Sequence, residues 1–140
     1  MTVVVDTNVV LSARATTHRH NRILRAFGAG KFAWAVSTEI ALEYEEIIAR
    51  RASVAEWRKL KTVLDAADEL HGNLFHVEPS FHFRLIVADP DDDKFADCAI
   101  AAEADWIITD DAHFEALRGS GHKPQPVTPG DFIARHLSVA

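Results

Sequence analysis

The chain has 140 residues, 48% of them hydrophobic, and a formal net charge of −6. That length suits one domain with a real core, and the apolar content excludes an intrinsically disordered chain. The acidic balance argues against a plain basic nucleic-acid-binding module. It does not exclude a nuclease, because carboxylates that hold divalent cations are neutralised in a working site.

The first element is predicted at Val3, Val4 and Val5, which read as a strand buried on both faces of a parallel sheet. Asp6 then falls at the carboxyl end of that strand, where open α/β sheets place their ligands, although Asp and Asn are also ordinary turn and capping residues. "NRILRAFGAGKF" carries Ile23, Leu24 and Phe27 at helical spacing and stops at Gly28 and Gly30. "FAWAVS" reads as a second strand. "STEIALEYEEIIARR" reads as a helix capped by Ser37 or Thr38, with Ile40, Leu42, Ile47 and Ile48 as its apolar members. A long helix is expected from Val54 to Leu70 through Trp57, Leu60, Val63 and Leu64, closed by His71, Gly72 and Asn73.

"LFHV" gives a short third strand before Pro79, and "SFHFRLIVA" fits either a strand or a loop. "ADPDDDKFADCAIAAEAD" reads as a helix with acids and Pro90 at its positive N-terminal end. "WIIT" is a buried strand, "HFEAL" a brief helix, "QPVT" an edge strand and "PGDFIARHL" a last helix. Strands alternating with helices predict a parallel sheet sandwiched between helices in one domain, residues 1–140.

Cys98 is the one cysteine. It cannot form an internal disulfide, which points to a reducing compartment, and its apolar helix makes it a core residue. No apolar run has the length of a membrane span, and the N-terminus lacks the pattern of a signal peptide. A soluble, cytoplasmic protein is therefore expected. The eight histidines show no zinc-ligand spacing, and no glycine-rich phosphate loop is present.

The acids concentrate by position. Asp6 ends the first strand, and Asp110 and Asp111 end the "WIIT" strand. Asp92 and Asp93 begin a helix, and Glu43 lies early in another, beside Leu42 and Ile47. Strand ends and helix starts share one edge of a parallel sheet, so four segments send carboxylates to one rim. Among neighbours, Asp89, Asp91 and Asp92 compete with Asp93, and Asp110 with Asp111, while Asp97 lies one turn after Asp93 on the same face. Oxygen-only clusters suit magnesium or manganese, and without cations their mutual repulsion is costly. The chemistry supported is phosphodiester hydrolysis, in which bound metal lowers the pKa of an attacking water and steadies the leaving oxygen.

"VVVDTNVVLSA", "STEIALEYEEII", "DPDDDKFADCAIAAEADWIITDD" and "VTPGDFIAR" together closely resemble the PIN domain, and within it the VapC-like toxin components of type II toxin–antitoxin systems. The resemblance runs over nearly the whole chain. It implies a three-layer α/β/α sandwich with a central parallel sheet and a magnesium- or manganese-dependent ribonuclease. Asp6, Glu43, Asp93 and Asp111 match the family's metal-binding acids, Asp93 being preferred to Asp97 for its distance from Thr109. Asn8 and Thr109 match polar residues that hold the cluster, Asn8 by hydrogen bonding to the neighbouring acid, and Asp97 is left a supporting role. Two departures stand out: Asp110 replaces a frequent glycine, and His113-Phe114 replaces Asp-Leu.

Substrate RNA would be gripped by basic side chains outside the acidic centre, for which Arg14, Arg19, Arg22, Arg25, Arg50 and Arg51 are the candidates. The resemblance also implies a small antitoxin partner and a homodimer. Two rivals are kept. One is a PIN-like scaffold that binds RNA or a partner without turnover. The other is a haloacid-dehalogenase-type phosphatase, which needs a second acid two residues after the first, where this chain has Asn8.

Overall fold

The computed structural model describes residues 1–81 and 90–137. Its central strand is β1 (Thr2–Val5), paired in parallel with β2 (Ala33–Val36) on one side and β4 (Trp106–Ile108) on the other. Val3, Val4 and Val5 consequently have no exposed surface, which is why three β-branched residues run without polar alternation. β3 (Leu74–His76) and β5 (Gln125–Val127) form the two edges, and the full order is β3-β2-β1-β4-β5, all parallel. Pro126 falls within β5, an edge strand, as its missing N–H requires.

Six α-helices flank the sheet among the described residues: α1 (Thr7–Ala13), α2 (Asn21–Gly28), α3 (Thr38–Arg51), α4 (Val54–His71), α5 (Asp93–Ala101) and α6 (Pro129–His136). Short 3-10 turns occupy Pro90–Asp92 and Ala112–Leu117. The result is the three-layer α/β/α architecture that the alternation of elements predicts. No helix of the described residues is long and apolar enough to cross a membrane. Most of the ambiguous "SFHFRLIVA" stretch, and Asp89, lie outside the described residues.

Local signals explain most boundaries. Ser37 Oγ accepts from the Ile40 amide at 3.2 Å and caps α3, and Ser53 Oγ accepts from the Glu56 amide at 3.0 Å and caps α4. Gly72 adopts a left-handed φ of 60° and closes α4. Asn73 then donates its side-chain amide to the carbonyls of Phe27 and Phe32, at 3.0 and 3.1 Å, fastening the start of β3 to the end of α2.

Two apolar assignments are corrected. On α3 the buried face is Ile40, Tyr44 and Ile48, four residues apart, whereas Leu42 is 61% exposed and Ile47 is only half-buried. Tyr44 fills the place expected for Leu42 because its ring satisfies the four-residue spacing while its hydroxyl finds a buried acceptor. On α4, Leu60, Leu64 and Ala67 face the core and Val63 faces outward.

Tyr44 links the fold to the rim. Its hydroxyl donates to the carbonyl of Val5 at 2.5 Å and accepts from Trp34 Nε1 at 3.4 Å. It thereby ties α3, β1 and β2 together one residue before Asp6. Tyr44→Phe leaves a buried carbonyl and a buried indole N–H without this partner, and should lower stability by about 1–2 kcal/mol in urea denaturation. An unchanged midpoint would show that the tie contributes nothing.

Candidate functional site

The chain steps from β1 to β2 and β3 in one direction, then places β4 on the other side of β1. Strand order therefore reverses between β1 and β4, and the crevice beyond the carboxyl ends of these two strands is where such sheets bind ligands. Val5 pairs with Ile108, so the residues that leave the two strands, Asp6 and Thr109, face each other across the crevice.

Asp6 is buried, with its backbone N–H donating to the Ile108 carbonyl at 3.0 Å. Thr109 Oγ1 donates to Asp6 Oδ2 at 2.7 Å and accepts from the Asp111 backbone amide at 2.9 Å. One hydroxyl thus fixes the Asp6 carboxylate and the backbone that presents Asp111. The Asp6 pKa is raised, foremost by burial and further by the charges of Asp111 and Glu43; the Thr109 hydroxyl and the Asn8 backbone N–H oppose the rise. Three acids from three elements therefore share one electrostatic neighbourhood. The support from Asn8 comes through its main chain, since the residue itself is exposed.

Glu43 lies on α3. One of its carboxylate oxygens, Oε2, accepts from Thr7 Oγ1 in a very short hydrogen bond, and the other, Oε1, lies 2.8 Å from Lys94 Nζ. Burial alone would depress the Lys94 ammonium, but the hydrogen bond and charge of Glu43, with Glu39 and Asp91, outweigh burial and raise its pKa. Asp93 opens α5 and is half-buried, and Asp97, one turn later, is 2% exposed.

Asp111 also belongs to a second group, with Asp92 and His113. His113 Nδ1 lies 3.2 Å from Asp111 Oδ1 and 3.3 Å from Asp92 Oδ2. Asp111, Asp92 and His113 bring one donor atom each into a group no wider than 4.8 Å. Among the described residues the acid that meets Asp111 there is Asp92, not Asp93. Asp111 also caps the following 3-10 turn, accepting from the His113 amide at 2.9 Å.

These donors suit a divalent cation. Among the described residues no lysine or arginine pairs with Asp6, so a buried carboxylate faces two other acids without a cationic partner of its own. Carboxylate oxygens are the ligands of magnesium and manganese, and the imidazole of His113 would favour manganese over magnesium.

Lys94, Thr7, Asp92 and His113 all take part in the site beyond the acids chosen from sequence. Lys94 had a legible signal: a cation in the first turn of a helix opposes the macrodipole, so it needs a partner outside the helix.

The basic candidates are dispersed. Arg14 pairs with Glu56 at 3.3 Å, Arg22 donates to the Leu137 carbonyl at 2.8 Å, and Arg50 lies 3.7 Å from Glu46. Arg19, Arg25 and Arg51 are exposed. Arg50 and Arg51 sit at the end of α3, about 20 Å along the helix from its start at the rim. Arg14 and Arg25 instead line a cleft of about 630 Å³ between α2 and α4, with Asn21, Leu24, Lys59 and Leu60.

Two other reactive types are accounted for. Burial pushes the Cys98 thiol up to about 12, as befits a core residue. His20 is buried with its Nδ1 2.8 Å from Ser12 Oγ, and burial foremost lowers its pKa.

Fold and crevice thus define an α/β protein with an acidic site at its topological switch point. A PIN domain family model matches residues 2–113, and the chain belongs to the PIN domain family, a nuclease-type fold. No curated protein sequence matches it.

The raised Asp6 pKa makes stability depend on pH. Above the ordinary value of 3.8, the folded chain retains a proton that the unfolded chain releases, so stability falls as pH rises through the window up to the folded pKa. Asp6→Asn removes that penalty. In EDTA the variant should be more stable than the wild type at neutral pH, and the gap should close as pH falls below the carboxyl range. A variant less stable at neutral pH would mean the carboxylate is held favourably without metal.

Proposed function

We propose that this protein is a divalent-metal-dependent endoribonuclease, and that the whole chain, residues 1–140, acts as one PIN-like nuclease domain. The observation that carries the reading is the convergence of Asp6, Glu43 and Asp111 from β1, α3 and the end of β4, close enough to raise the Asp6 pKa together. A protein gains nothing in stability by burying like charges, and the arrangement makes sense as a cation site.

In this reading Asp6, Glu43, Asp93 and Asp111 hold magnesium or manganese, with Asp97 in support. The metal supplies an activated water and a stabilised leaving oxygen for phosphodiester hydrolysis. The chain's own residues do the rest. Thr109 orients the Asp6 carboxylate and holds the backbone amide of Asp111. Thr7 and Lys94 orient Glu43, and Asn8 contributes its backbone N–H. No side chain need act as the general base.

RNA would be gripped outside the acids. Arg14 and Arg25 are the best placed of the arginines, because with Lys59 they line one cleft. Arg19 and Arg22 flank it in sequence, and Arg50 and Arg51 would touch only a substrate extending far along α3. The sequence resemblance to VapC-like proteins supports a toxin role, a small antitoxin as partner and a homodimer, and the lone Cys98 supports a reducing, cytoplasmic location.

The test is cleavage of labelled single-stranded RNA by wild type and Asp6→Asn, with magnesium, with manganese and with EDTA. Metal-dependent cutting is expected, reduced by the substitution about 100-fold or more. Equal cutting by both proteins would place the chemistry elsewhere. No cutting by a wild type that binds metal would favour a PIN scaffold without turnover.

A further inference from the structure

Lys94 is unlike the other lysines with ion pairs. Its side chain is 12% exposed, whereas those of Lys59, Lys61 and Lys123 are 75%, 58% and 67% exposed. It stands in the first turn of α5, where the helix dipole disfavours a cation. Its neighbours in sequence, Asp91, Asp92 and Asp93, are acids, yet its Nζ reaches across to Glu43 Oε1 on α3. Thr7 Oγ1 holds the other oxygen of the same carboxylate. Each Glu43 oxygen thus already receives a proton donor, from α1 on one side and α5 on the other.

We propose that Lys94 is a positioning residue that acts as a resident cation of the acidic rim, neutralising Glu43 when no metal is bound and weakening the hold of the rim on divalent ions. This rests on the reading of the rim as a metal site. An ammonium fixed on one carboxylate repels a divalent ion nearby and draws that carboxylate's charge away from it. The site is therefore tolerable without metal, and its affinity is set below what the acids alone would give. Asp6 has no basic partner among the described residues and Asp111 has only the imidazole of His113, so these two remain the poles toward which an ion is drawn.

The experiment is calorimetric titration of manganese into wild type, Lys94→Met, Lys94→Gln and Lys94→Arg, with melting temperatures recorded in EDTA. Lys94→Met removes the charge at similar length. Lys94→Gln removes the charge and keeps a donor for Glu43, which guards against a variant that fails to fold. Both neutral variants should bind manganese about ten-fold more tightly than wild type, as expected for removing a like charge beside the ion. In EDTA both should melt lower. Lys94→Arg should bind as wild type does.

A merely structural lysine would lower the melting temperature without tightening the metal. Unchanged or weaker binding in the neutral variants therefore overturns the role of Lys94 and leaves the metal site standing. Tightening in Lys94→Arg as well would overturn the charge argument. If the wild type and all variants bind no manganese, both this inference and the ribonuclease reading fall.

Discussion

The site depends on one constraint: the Asp6 carboxylate is held at the end of three fully buried valines, facing two other acids. Burial and like charge both oppose its ionisation. The surrounding structure manages this with directed polar contacts. Thr109 donates to Asp6 and receives the Asp111 amide, Tyr44 fixes the Val5 carbonyl one residue earlier, and Thr7 and Lys94 take up Glu43. Each contact places a carboxylate, and none among the described residues gives Asp6 a positive partner. Hydrogen bonds that hold acids together in this way are what the proposed cation site requires.

The sheet supplies the rigidity that this demands. β1 is hydrogen-bonded on both sides, and its pairing with β4 sets Asp6 opposite Thr109 without help from a loop. Sites on rigid elements hold their geometry better than sites on loops. The outer group of Asp92, Asp111 and His113 is built differently, on two short 3-10 turns and the cap of one of them. His113 adds a nitrogen donor there, which bears on metal preference and not on the inner carboxylates.

Much of the architecture was legible because it follows from periodicity and punctuation. The three valines marked the central strand, Ser37 and Gly72 marked helix ends, and the alternation of elements indicated the parallel sheet. The helix α1 was not anticipated, since its seven residues are too few for a clear apolar period and follow a strand without a loop. Leu42 misled for a related reason: an apolar residue in a charged helix reads as core, while the aromatic Tyr44 at the correct spacing carries a hydroxyl and is easily read as surface.

The site was legible only as a set of acids on one edge. Sequence spacing locates strand ends, so Asp6 and Asp111 were accessible to it. Thr7 and His113 were not, because their roles depend on partners 36 and 21 residues away in the chain; Lys94 announces by its helix position that it needs a partner, but not that the partner is Glu43, 51 residues away. Resemblance favoured Asp93, and the structure adds Asp92, the last residue of the 3-10 turn before α5, which meets Asp111 through His113.

The most direct test of this account is anomalous diffraction from crystals grown with manganese. A manganese peak in the crevice between β1 and β4, within bonding distance of carboxylate oxygens of Asp6 and Asp111, is the result predicted. Manganese absent from that crevice at saturating concentration, or bound only at exposed acids elsewhere, would contradict the claim that the buried Asp6 and half-buried Asp111 were assembled for a cation.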